Sequence, residues 1–318
     1  MGAQMKISLV ATVLNEEKSI DSFLESIEKQ TVAPEEIILV DAGSQDKTVP
    51  KIKTWQKKLP IKLIIKPNTN RSQGRNIAIK KAKNQIIAIS DAGCLLDHGW
   101  LKEITDPLKK RNTFVVAGNY QPVAKTLFQK CLALYTCADI YRKNKHQFLP
   151  SSRSLAIKKT VWERVGGYPE ELNYCEDLVF DQKIKGAGFC FFFTPGAIVY
   201  WPQRNNLKEA FRQFYNYALG DGQVFFSPYQ SHSVKISLIF FRYLIGLLVL
   251  ILVIKKPSLW PIPVFLLLTY LVFWPIIKFG KRLSWQTLAF APFIQLLSDL
   301  AVMAGTLGGV LEKIRKRV

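Results

Sequence analysis

The sequence predicts an α/β domain built on a mostly parallel sheet flanked by helices, followed by C-terminal transmembrane helices. Before about residue 235, short apolar runs typical of buried strands alternate with amphipathic stretches of helical period, which is the pattern of βαβ units. Three long apolar segments follow, each close to the roughly 20 residues that cross the hydrocarbon core of a bilayer. We therefore expect a globular domain at 1–203, an amphipathic interfacial linker at 204–235 and a transmembrane region of two to three helices at 236–318.

Apolar runs bounded by turn residues predict the strands of the sheet. These runs are 6–13, 37–40, 61–65, 86–89 and 114–117. Between them, apolar residues at helical spacing predict helices that begin at Asn15 and Arg71. The first of these helices has acidic residues in its first turn, where the helix dipole favours them. Further helices are expected at 126–141 and after Asp177. Strands separated by helices imply parallel pairing.

The formal charge of +20, from 44 Lys and Arg against 24 Asp and Glu, indicates an anionic partner. The apolar tail favours a membrane surface over the alternatives, which are phosphorylated substrates and nucleic acid. No basic stripe with interleaved aromatic residues occurs, so we expect no nucleic-acid partner. The five cysteines are odd in number and lack C-x-x-C spacing. This argues against a disulfide framework or a zinc site and fits a reducing cytosol.

Two predicted strands end in an aspartate followed by small turn residues, at Asp41-Ala42-Gly43 and Asp91-Ala92-Gly93. In open α/β sheets, ligands bind outside the carboxyl ends of the strands, so both carboxylates are expected to face one crevice. There Asp41 can accept a hydrogen bond from a base or a ribose. Asp91 can bind a divalent metal that in turn holds a diphosphate. The alternatives are a turn role for Asp41 and a helix cap for Asp91.

A third acidic position is Glu176-Asp177, which follows a glycine-containing turn and precedes a stretch of helical period. Asp177 either caps that helix or acts as a general base. The residues by themselves leave both interpretations open.

Taken in order, these motifs resemble the family 2 glycosyltransferases, which have the GT-A fold. The similar stretches lie within residues 6–222, and the ordered set is far more specific than any one motif. They are Thr12-Val13-Leu14-Asn15-Glu16, Asp41-Ala42-Gly43-Ser44 with Asp46 and Thr48, Gly74-Arg75-Asn76, Ser90-Asp91-Ala92-Gly93, Gly166-Gly167-Tyr168-Pro169-Glu170 and Glu176-Asp177.

The resemblance implies a role for each matching residue. Asp41 would contact the nucleotide base, and Asp91, in the family's D-x-D motif, would serve the ribose and the metal-bound diphosphate. Asp177 would be the catalytic base of an inverting transfer, on the acceptor side with Glu176. The nucleotide-sugar pocket would be completed by Thr12, Leu14, Glu16, Ser44, Arg75, Ala92 and Gly93.

The sequence departs from the family in two places. Gly93 stands where D-x-D has its second carboxylate, so metal binding would rest on Asp91, alone or with an outside ligand such as Asp97. The Q-x-x-R-W motif of processive relatives is absent, and 212–217 reads R-Q-F-Y-N-Y. This favours transfer of a single sugar.

The linker contains apolar residues on one helical face, which predicts either an interfacial helix lying on anionic lipid or an ordinary core-facing helix. These residues are Leu207, Phe211, Phe214 and Ala218. Beyond the linker, the apolar segments are 236–254, 259–277 and 288–310, and the last is weakened by Ser298, Asp299 and several glycines.

Basic clusters at 255–256, 278–282 and 313–317 bear on the topology, because Lys and Arg favour the cytoplasmic side. Two spans with one interfacial or re-entrant segment would put the last two clusters inside. Three spans would put the C-terminal cluster outside. The length and apolarity of the last segment favour three spans.

The sequence therefore predicts an integral membrane glycosyltransferase whose catalytic domain faces the cytoplasm. It would move a sugar from a nucleotide-sugar donor to a lipid-linked or saccharide acceptor, with inversion and without processivity. The expected cofactor is Mg²⁺ or Mn²⁺, and membrane lipid is an expected partner. The alternatives are a nucleotidyltransferase of similar fold and an inactive membrane scaffold that binds nucleotide sugar. A Rossmann dehydrogenase is disfavoured, because no G-x-G-x-x-G follows the first strand.

Overall fold

The structure is a computed structural model that describes residues 5–137, 149–229 and 232–316. Contacts divide the chain into two compact units. The sheet unit comprises Met1–Val123 and Asp139–Pro202, and the helical unit comprises Ala124–Ala138 and Gln203–Val318. The helical unit thus includes a segment from within the predicted 1–203 domain. The domain boundaries expected from the sequence stay a prediction.

The secondary structure alternates in the sheet unit and is helical in the rest of the described chain. The strands are β1 (Ile7–Val13), β2 (Glu36–Asp41), β3 (Ile61–Ile65), β4 (Ile86–Ile89), β5 (Leu95–Leu96), β6 (Val115–Val123), β7 (Leu155–Lys158) and β8 (Phe191–Pro202). The helices are α1 (Ile20–Glu28), α2 (Thr48–Trp55), α3 (Arg71–Lys81), α4 (Trp100–Thr105), α5 (Leu127–Thr136), α6 (Lys159–Val165), α7 (Glu176–Gly186), α8 (Leu207–Gln223), α9 (Ser233–Lys255), α10 (Pro261–Leu268), α11 (Trp274–Phe279), α12 (Trp285–Leu288) and α13 (Ala291–Arg315).

One sheet runs through the sheet unit in the order β3-β2-β1-β4-β7-β6-β8-β5. Strands β3, β2, β1 and β4 are parallel, as their alternation with helices predicted, and β6 is parallel to β8. Strand β7 is antiparallel to β4 and β6, and β5 is antiparallel to β8. This sheet confirms the predicted fold class. Val13 lies opposite Asp41 in the register, so β1 and β2 end at the same edge, and β4 is parallel to them.

The core of the sheet unit forms where helices cover the parallel strands. The apolar residues of α1 are buried, as their spacing predicted. On β4 every residue is buried, and Tyr168 stacks on Phe180 beside this strand with ring centroids 3.9 Å apart. Each fully buried large apolar side chain contributes about 1.5–3 kcal/mol. These contacts hold the carboxyl ends of β1, β2 and β4 in place.

Two predicted helix boundaries differ from the structure. The first helix begins at Ile20 rather than Asn15, because Asn15 has a left-handed φ of 54° that ends β1 in a turn. Asn tolerates this conformation because its short polar side chain bonds locally. The helix expected at 126–141 is α5, which ends at Thr136, and residues 138–148 lie outside the described part of the chain.

Strands β5, β7 and β8 were not predicted. The sequence of β8 contains Pro195 and Gly196, which lower strand propensity. Pairing with β6 nevertheless makes it a strand, with a register shift between Ala117 and Asn119. A Cβ at Gly118, inside this shift, would lie 2.0 Å from Ser154 Oγ and 2.5 Å from the Ala197 carbonyl oxygen. Only glycine permits this close approach.

Among its described residues, the helical unit contains three helical stretches long and apolar enough to cross a membrane, in agreement with the three apolar segments of the sequence. They are Ser233–Lys255, Pro257–Arg282 and Ala291–Arg315. The middle stretch is interrupted by a π-helical turn at Thr269–Phe273. Most apolar side chains of the first two stretches are exposed, as expected for surfaces that face lipid.

Helix α8 packs closely against α13 through glycines. A Cβ at Gly305 would lie 2.3 Å from the Tyr215 carbonyl oxygen, and a Cβ at Gly309 would lie 2.0 Å from the Leu219 carbonyl oxygen. Such small residues let two helix backbones approach. Along the predicted apolar face of α8, Phe214 and Ala218 are buried, whereas Leu207 and Phe211 are exposed. The core-facing interpretation therefore holds for the C-terminal half of that face.

A polar cluster joins the three apolar stretches. Asp299 of α13 accepts hydrogen bonds from Arg242 at 3.2 Å, Tyr243 at 3.1 Å and Tyr270 at 2.6 Å. Gln295, one turn earlier on α13, donates to the other carboxylate oxygen at 3.1 Å. Charged residues at this depth in apolar helices are costly unless paired, so this carboxylate is stable only when the helices carrying its partners stay together.

Candidate active site

Asp41 ends β2 and is buried within a tight turn. Its Oδ2 accepts hydrogen bonds from the backbone N–H groups of Gly43 and Ser44, both at 3.0 Å. Its Oδ1 accepts from the Ser44 hydroxyl at 2.5 Å. These are the bonds of the turn interpretation. A carboxylate has about four acceptor positions, so a further donor from a nucleotide base is compatible with this geometry.

The loop after β1 is bonded to the loop after β2. Asn15 donates its backbone N–H to Ser44 Oγ at 2.9 Å, and Glu16 donates its backbone N–H to Thr48 Oγ1 at 2.7 Å. Leu14 directly precedes these anchors and is 52% exposed. Two of the sequence motifs thus form one rim of the sheet edge.

The start of α3 brings a third motif to this edge. Asn70 and Gln73 form a reciprocal capping box at the helix N-terminus. A Cβ at Gly74 would lie 2.5 Å from Thr12 Cγ2, so glycine is required for α3 to pack on β1. This close packing directs the next residue, Arg75, into the protein below the sheet edge.

Arg75 is buried and bridges two carboxylates. Its Nη1 donates to Glu176 Oε1 at 2.6 Å, and its Nη2 donates to Asp91 Oδ1 at 2.8 Å. Its guanidinium also lies over the Tyr168 ring, 5.3 Å from the centroid. Tyr168 is held in turn by Asn76, whose Oδ1 accepts from the Tyr168 backbone N–H at 2.9 Å. The structure therefore joins four of the sequence motifs through two adjacent residues of α3.

Electrostatics keep Arg75 and Asp91 charged. Burial opposes the charged guanidinium, but Asp91 and Glu176 outweigh it and raise the pKa of Arg75 well above its ordinary value. For Asp91, burial acts to raise the pKa, and the nearby Arg75 and Arg153 reverse this, so the pKa of Asp91 is lowered. Asp91 is therefore an ionised carboxylate at neutral pH.

Asp177 lies one residue beyond Glu176 but points elsewhere. Cys175 precedes α7 with a left-handed φ of 59°, so Asp177 is the second residue of the helix rather than its cap. The cap interpretation of Asp177 is therefore wrong. Its Oδ2 lies 3.5 Å from Ser151 Oγ, and the side chain is half-buried. Glu176 turns towards the interior while Asp177 stays accessible, because successive helical side chains diverge by about 100°.

Sequence reasoning missed the segment that faces these carboxylates. Arg153 lies with its Nε 3.7 Å from Asp91 Oδ2 and stacks on Trp201 with 4.1 Å from its guanidinium carbon to the ring centroid. Ser151 accepts from Arg153 Nη1 at 2.9 Å. No motif marks this stretch. The available signal is a basic residue two positions before the short apolar run that forms β7.

The donor set at the sheet edge fits a Mg²⁺ or Mn²⁺ ion that keeps waters and binds substrate phosphates, since such ions need only one or two protein carboxylates. Asp91 supplies one carboxylate. A Cβ at Gly93 would lie 3.8 and 3.9 Å from the carboxylate oxygens of Glu16, so an acidic group stands beside the position where D-x-D has its second aspartate. Asp97 instead accepts from Gly99 N and Tyr200 Oη. Among the described residues, no three His, Cys, Asp or Glu side chains cluster as a complete metal site.

Comparison with known proteins identifies the class. Residues 8–158 match the family described as Glycosyl transferase family 2. The chain is 27% identical over 230 residues to the O-antigen chain rhamnosyltransferase RfbN of Salmonella typhimurium, covering 67% of this chain and 71% of that protein. It is 25% identical over 229 residues to the glycosyltransferase AglE of Haloferax volcanii, covering 69% of this chain and 73% of that protein.

A solved structure shows the same fold. The mannosyltransferase PcManGT from Pyrobaculum calidifontis, in complex with GDP-Man and Mn²⁺, superposes with a TM-score of 0.57 at 17% identity. The match covers 98% of this chain and 88% of that protein.

The fold and these comparisons define a GT-A-type glycosyltransferase that uses a nucleotide-sugar donor. Residues 8–158 are the part of the chain that matches the family 2 model. The resemblance inferred from the ordered motifs is therefore confirmed, and so is the prediction that the chain is an enzyme.

Proposed function

We propose that this glycosyltransferase moves one sugar at a time, with inversion, from a nucleotide-sugar donor to a lipid-linked or saccharide acceptor at a membrane. The observation that carries the proposal is the arrangement of Asp91, Glu176 and Asp177, in which Arg75 ties the first two together and leaves Asp177 accessible. A donor-side carboxylate and an acceptor-side carboxylate then lie at one sheet edge. This is the arrangement that a displacement at the anomeric carbon requires.

The donor is proposed to bind along the rim formed by the loops after β1 and β2. Asp41 would accept from the base, and backbone and side chains of Thr12, Leu14, Glu16 and Ser44 would line the nucleotide pocket. Ala92 and Gly93 leave space beside Asp91 for the ribose and diphosphate. The two terminal nitrogens of Arg75 are occupied by carboxylates, so we propose that it positions Asp91 and Glu176 rather than contacting the nucleotide.

A divalent metal is proposed at Asp91, with Glu16 as a second oxygen donor. PcManGT, a structural relative, is described in complex with Mn²⁺ and GDP-Man, which supports metal use in proteins of this fold. When bound, the ion would offset negative charge on the diphosphate.

Asp177 is proposed to be the general base. The acceptor oxygen attacks the anomeric carbon, the bond from that carbon to the diphosphate oxygen breaks, and the hydroxyl proton passes to Asp177. The electron pair of the broken bond leaves with the nucleoside diphosphate. If the acceptor is a polyprenyl phosphate, its oxygen is already anionic, and Asp177 would position it rather than deprotonate it.

The location proposed is a membrane, with the catalytic residues on the cytoplasmic side, where nucleotide sugars are made. Three apolar helices support the membrane association. Membrane lipid is therefore a proposed partner. The similarity to an O-antigen chain rhamnosyltransferase favours a cell-envelope glycan as the acceptor class. It also favours sugar transfer over the two alternatives, a nucleotidyltransferase and an inactive scaffold.

The experiment is a product assay with the full chain in native membranes. UDP-, GDP- and dTDP-sugars are supplied with a polyprenyl phosphate or with saccharide acceptors, and released nucleotide is identified. We expect a nucleoside diphosphate and a glycosylated acceptor with inverted anomeric configuration. A parallel reaction supplies nucleoside triphosphates with a sugar 1-phosphate, and release of pyrophosphate in that reaction would indicate a nucleotidyltransferase. Tight donor binding without transfer to either acceptor class would indicate a scaffold.

A further inference from the structure

The segment that contains Arg153 is rigidly held against the end of β4. Ser90 Oγ donates to the Arg153 carbonyl oxygen at 2.8 Å, and Trp100 Nε1 donates to Ser154 Oγ at 2.8 Å. The Gly118 backbone N–H donates to the Ser154 carbonyl oxygen at 2.9 Å. These bonds anchor the backbone at Arg153 and at Ser154, so Arg153 has a defined position beside Asp91.

The side chain is oriented by aromatic rings. The guanidinium carbon lies 4.1 Å from the centroid of the Trp201 ring and 5.9 Å from that of Tyr120. Stacking engages the face of the planar guanidinium, while its N–H groups point outwards in the plane, where they meet carboxylate or phosphate oxygens. With 19% of the side chain exposed, Arg153 remains accessible to a ligand.

Arg153 also lies between the two sides of the site. Its Nε is 3.7 Å from Asp91 Oδ2, beyond hydrogen-bond distance, whereas Arg75 already bonds the other oxygen of that carboxylate at 2.8 Å. Its Nη1 donates to Ser151 Oγ, which lies 3.5 Å from Asp177 Oδ2. The guanidinium therefore stands between the proposed diphosphate-binding carboxylate and the proposed base.

We propose that Arg153 binds the diphosphate of the nucleotide-sugar donor and stabilises the charge that develops on it as the sugar leaves. The proposal rests on the proposed function above. The bond between the anomeric carbon and the β-phosphate oxygen breaks, its electron pair stays on that oxygen, and the Arg153 N–H groups donate to the β-phosphate. Gly93 stands where D-x-D has its second carboxylate, so the site has one ligand fewer for a metal ion. In this role Arg153 supplies positive charge to the diphosphate directly.

The test compares diphosphates with monophosphates. UDP, GDP and dTDP, each beside its monophosphate, are titrated into the purified full chain by calorimetry, with Mn²⁺ and separately with EDTA. Arg153→Gln should weaken binding of the preferred diphosphate by about tenfold or more, the usual magnitude for a lost charge-assisted bond. Binding of the corresponding monophosphate should weaken by less than about threefold. The loss should persist in EDTA, because the guanidinium contacts phosphate directly.

Arg164→Gln is the matched control. Arg164 is also stacked on an aromatic ring, that of Phe189 at 5.1 Å, but it is exposed on α6. This variant should bind both nucleotides as the parent does. Should Arg153→Gln fail to fold, Arg153→Lys is used instead, because it keeps the charge and loses the planar guanidinium. We expect Arg153→Lys to weaken diphosphate binding by an intermediate amount and to leave monophosphate binding unchanged.

Each outcome separates the two proposals. Unchanged diphosphate binding in the folded Arg153→Gln or Arg153→Lys variant would overturn the role of Arg153 and leave the proposed function standing. Equal losses of monophosphate and diphosphate would overturn it as well, since they would indicate a structural effect. A parent chain that binds none of the three diphosphates would overturn the proposed function and this inference with it.

Discussion

Arg75 and Glu176 stand 101 positions apart in the sequence and form a buried ion pair, with 2.6 Å between Nη1 and Oε1. The same guanidinium bonds Asp91 at 2.8 Å. Arg75 thus links the first half of α3 to the first turn of α7. Its loss would leave two carboxylates without their shared cation.

Replacing Arg75 tests this bridge. Arg75→Met keeps length and removes the charge, and breaking a buried pair in this way costs about 3–5 kcal/mol. We expect a clear fall in the thermal unfolding midpoint, measured by intrinsic fluorescence in detergent. Arg75→Met with Glu176→Gln should recover part of the loss, because the amide removes one unpaired charge. Arg164→Met, on the exposed surface, is the control. An unfolding midpoint for Arg75→Met equal to that of the control would contradict the bridge.

Asp91→Asn tests the donor side. The amide keeps the shape of the carboxylate and removes its charge. Nucleoside diphosphate binding should weaken chiefly when Mn²⁺ is present, because the lost carboxylate acts through the ion. Titrations with and without Mn²⁺ measure this. Equal losses of binding under both conditions would instead indicate that Asp91 contacts the ribose.

Asp177→Asn tests the acceptor side. Asp177 is not the cap of α7 and makes no ion pair among the described residues, so folding and donor binding should survive. Transfer to a hydroxyl acceptor should fall by roughly 10²–10⁴-fold, the usual contribution of a positioned general base. Single-turnover transfer at matched folded fraction is the measurement. Transfer at a rate close to that of the parent would refute the general-base role of Asp177. It would point to an acceptor that needs no deprotonation.

Asp181 lies one turn after Asp177, and its Oδ2 has no hydrogen-bond partner among the described residues. Burial, together with the charge of Asp177, raises the pKa of Asp181 well above its ordinary value. As pH rises above about 4, the unfolded chain loses this proton first, so the carboxyl stabilises the fold progressively less. Asp181→Asn does not titrate. Its stability relative to the parent should therefore increase between pH 4 and pH 7.

Thermal unfolding midpoints across this pH range check the prediction. Asp106→Asn, at an exposed carboxylate that pairs with Lys109, is the control and should show little change in relative stability. A constant difference between Asp181→Asn and the parent at every pH would mean that Asp181 is not held protonated.

The apolar helices predict tight membrane association. The full chain should stay with membranes after a wash at high salt, because salt screens attraction between basic side chains and anionic lipid but does not weaken apolar insertion. Centrifugation and immunoblotting of the pellet measure this, with a peripheral basic protein as the control. Release of the chain by salt alone would mean that the helices do not insert.

Local patterns were sufficient for much of the sheet unit. The run of isoleucines before Asp91 predicted β4, and the spacing of Ile20, Phe23, Leu24 and Ile27 predicted the buried face of α1. Burial of one face imposes these periods directly on the sequence. Strand β8 escaped prediction because its proline and glycine oppose strand formation, and pairing with β6 outweighs them.

The amino-acid sequence by itself determined the α/β class, the three apolar segments and the carboxylates at the strand ends, because hydrophobic period and turn chemistry are local properties. Only the tertiary structure decided that Arg75 joins Asp91 to Glu176, and that Arg153 faces Asp91 from a stretch without a motif. Contacts between residues so far apart depend on how β4, α3 and α7 pack, notably on Gly74 and Gly118, where backbones approach too closely for any side chain. Local sequence does not encode such distances, because they result from the packing of the whole sheet unit.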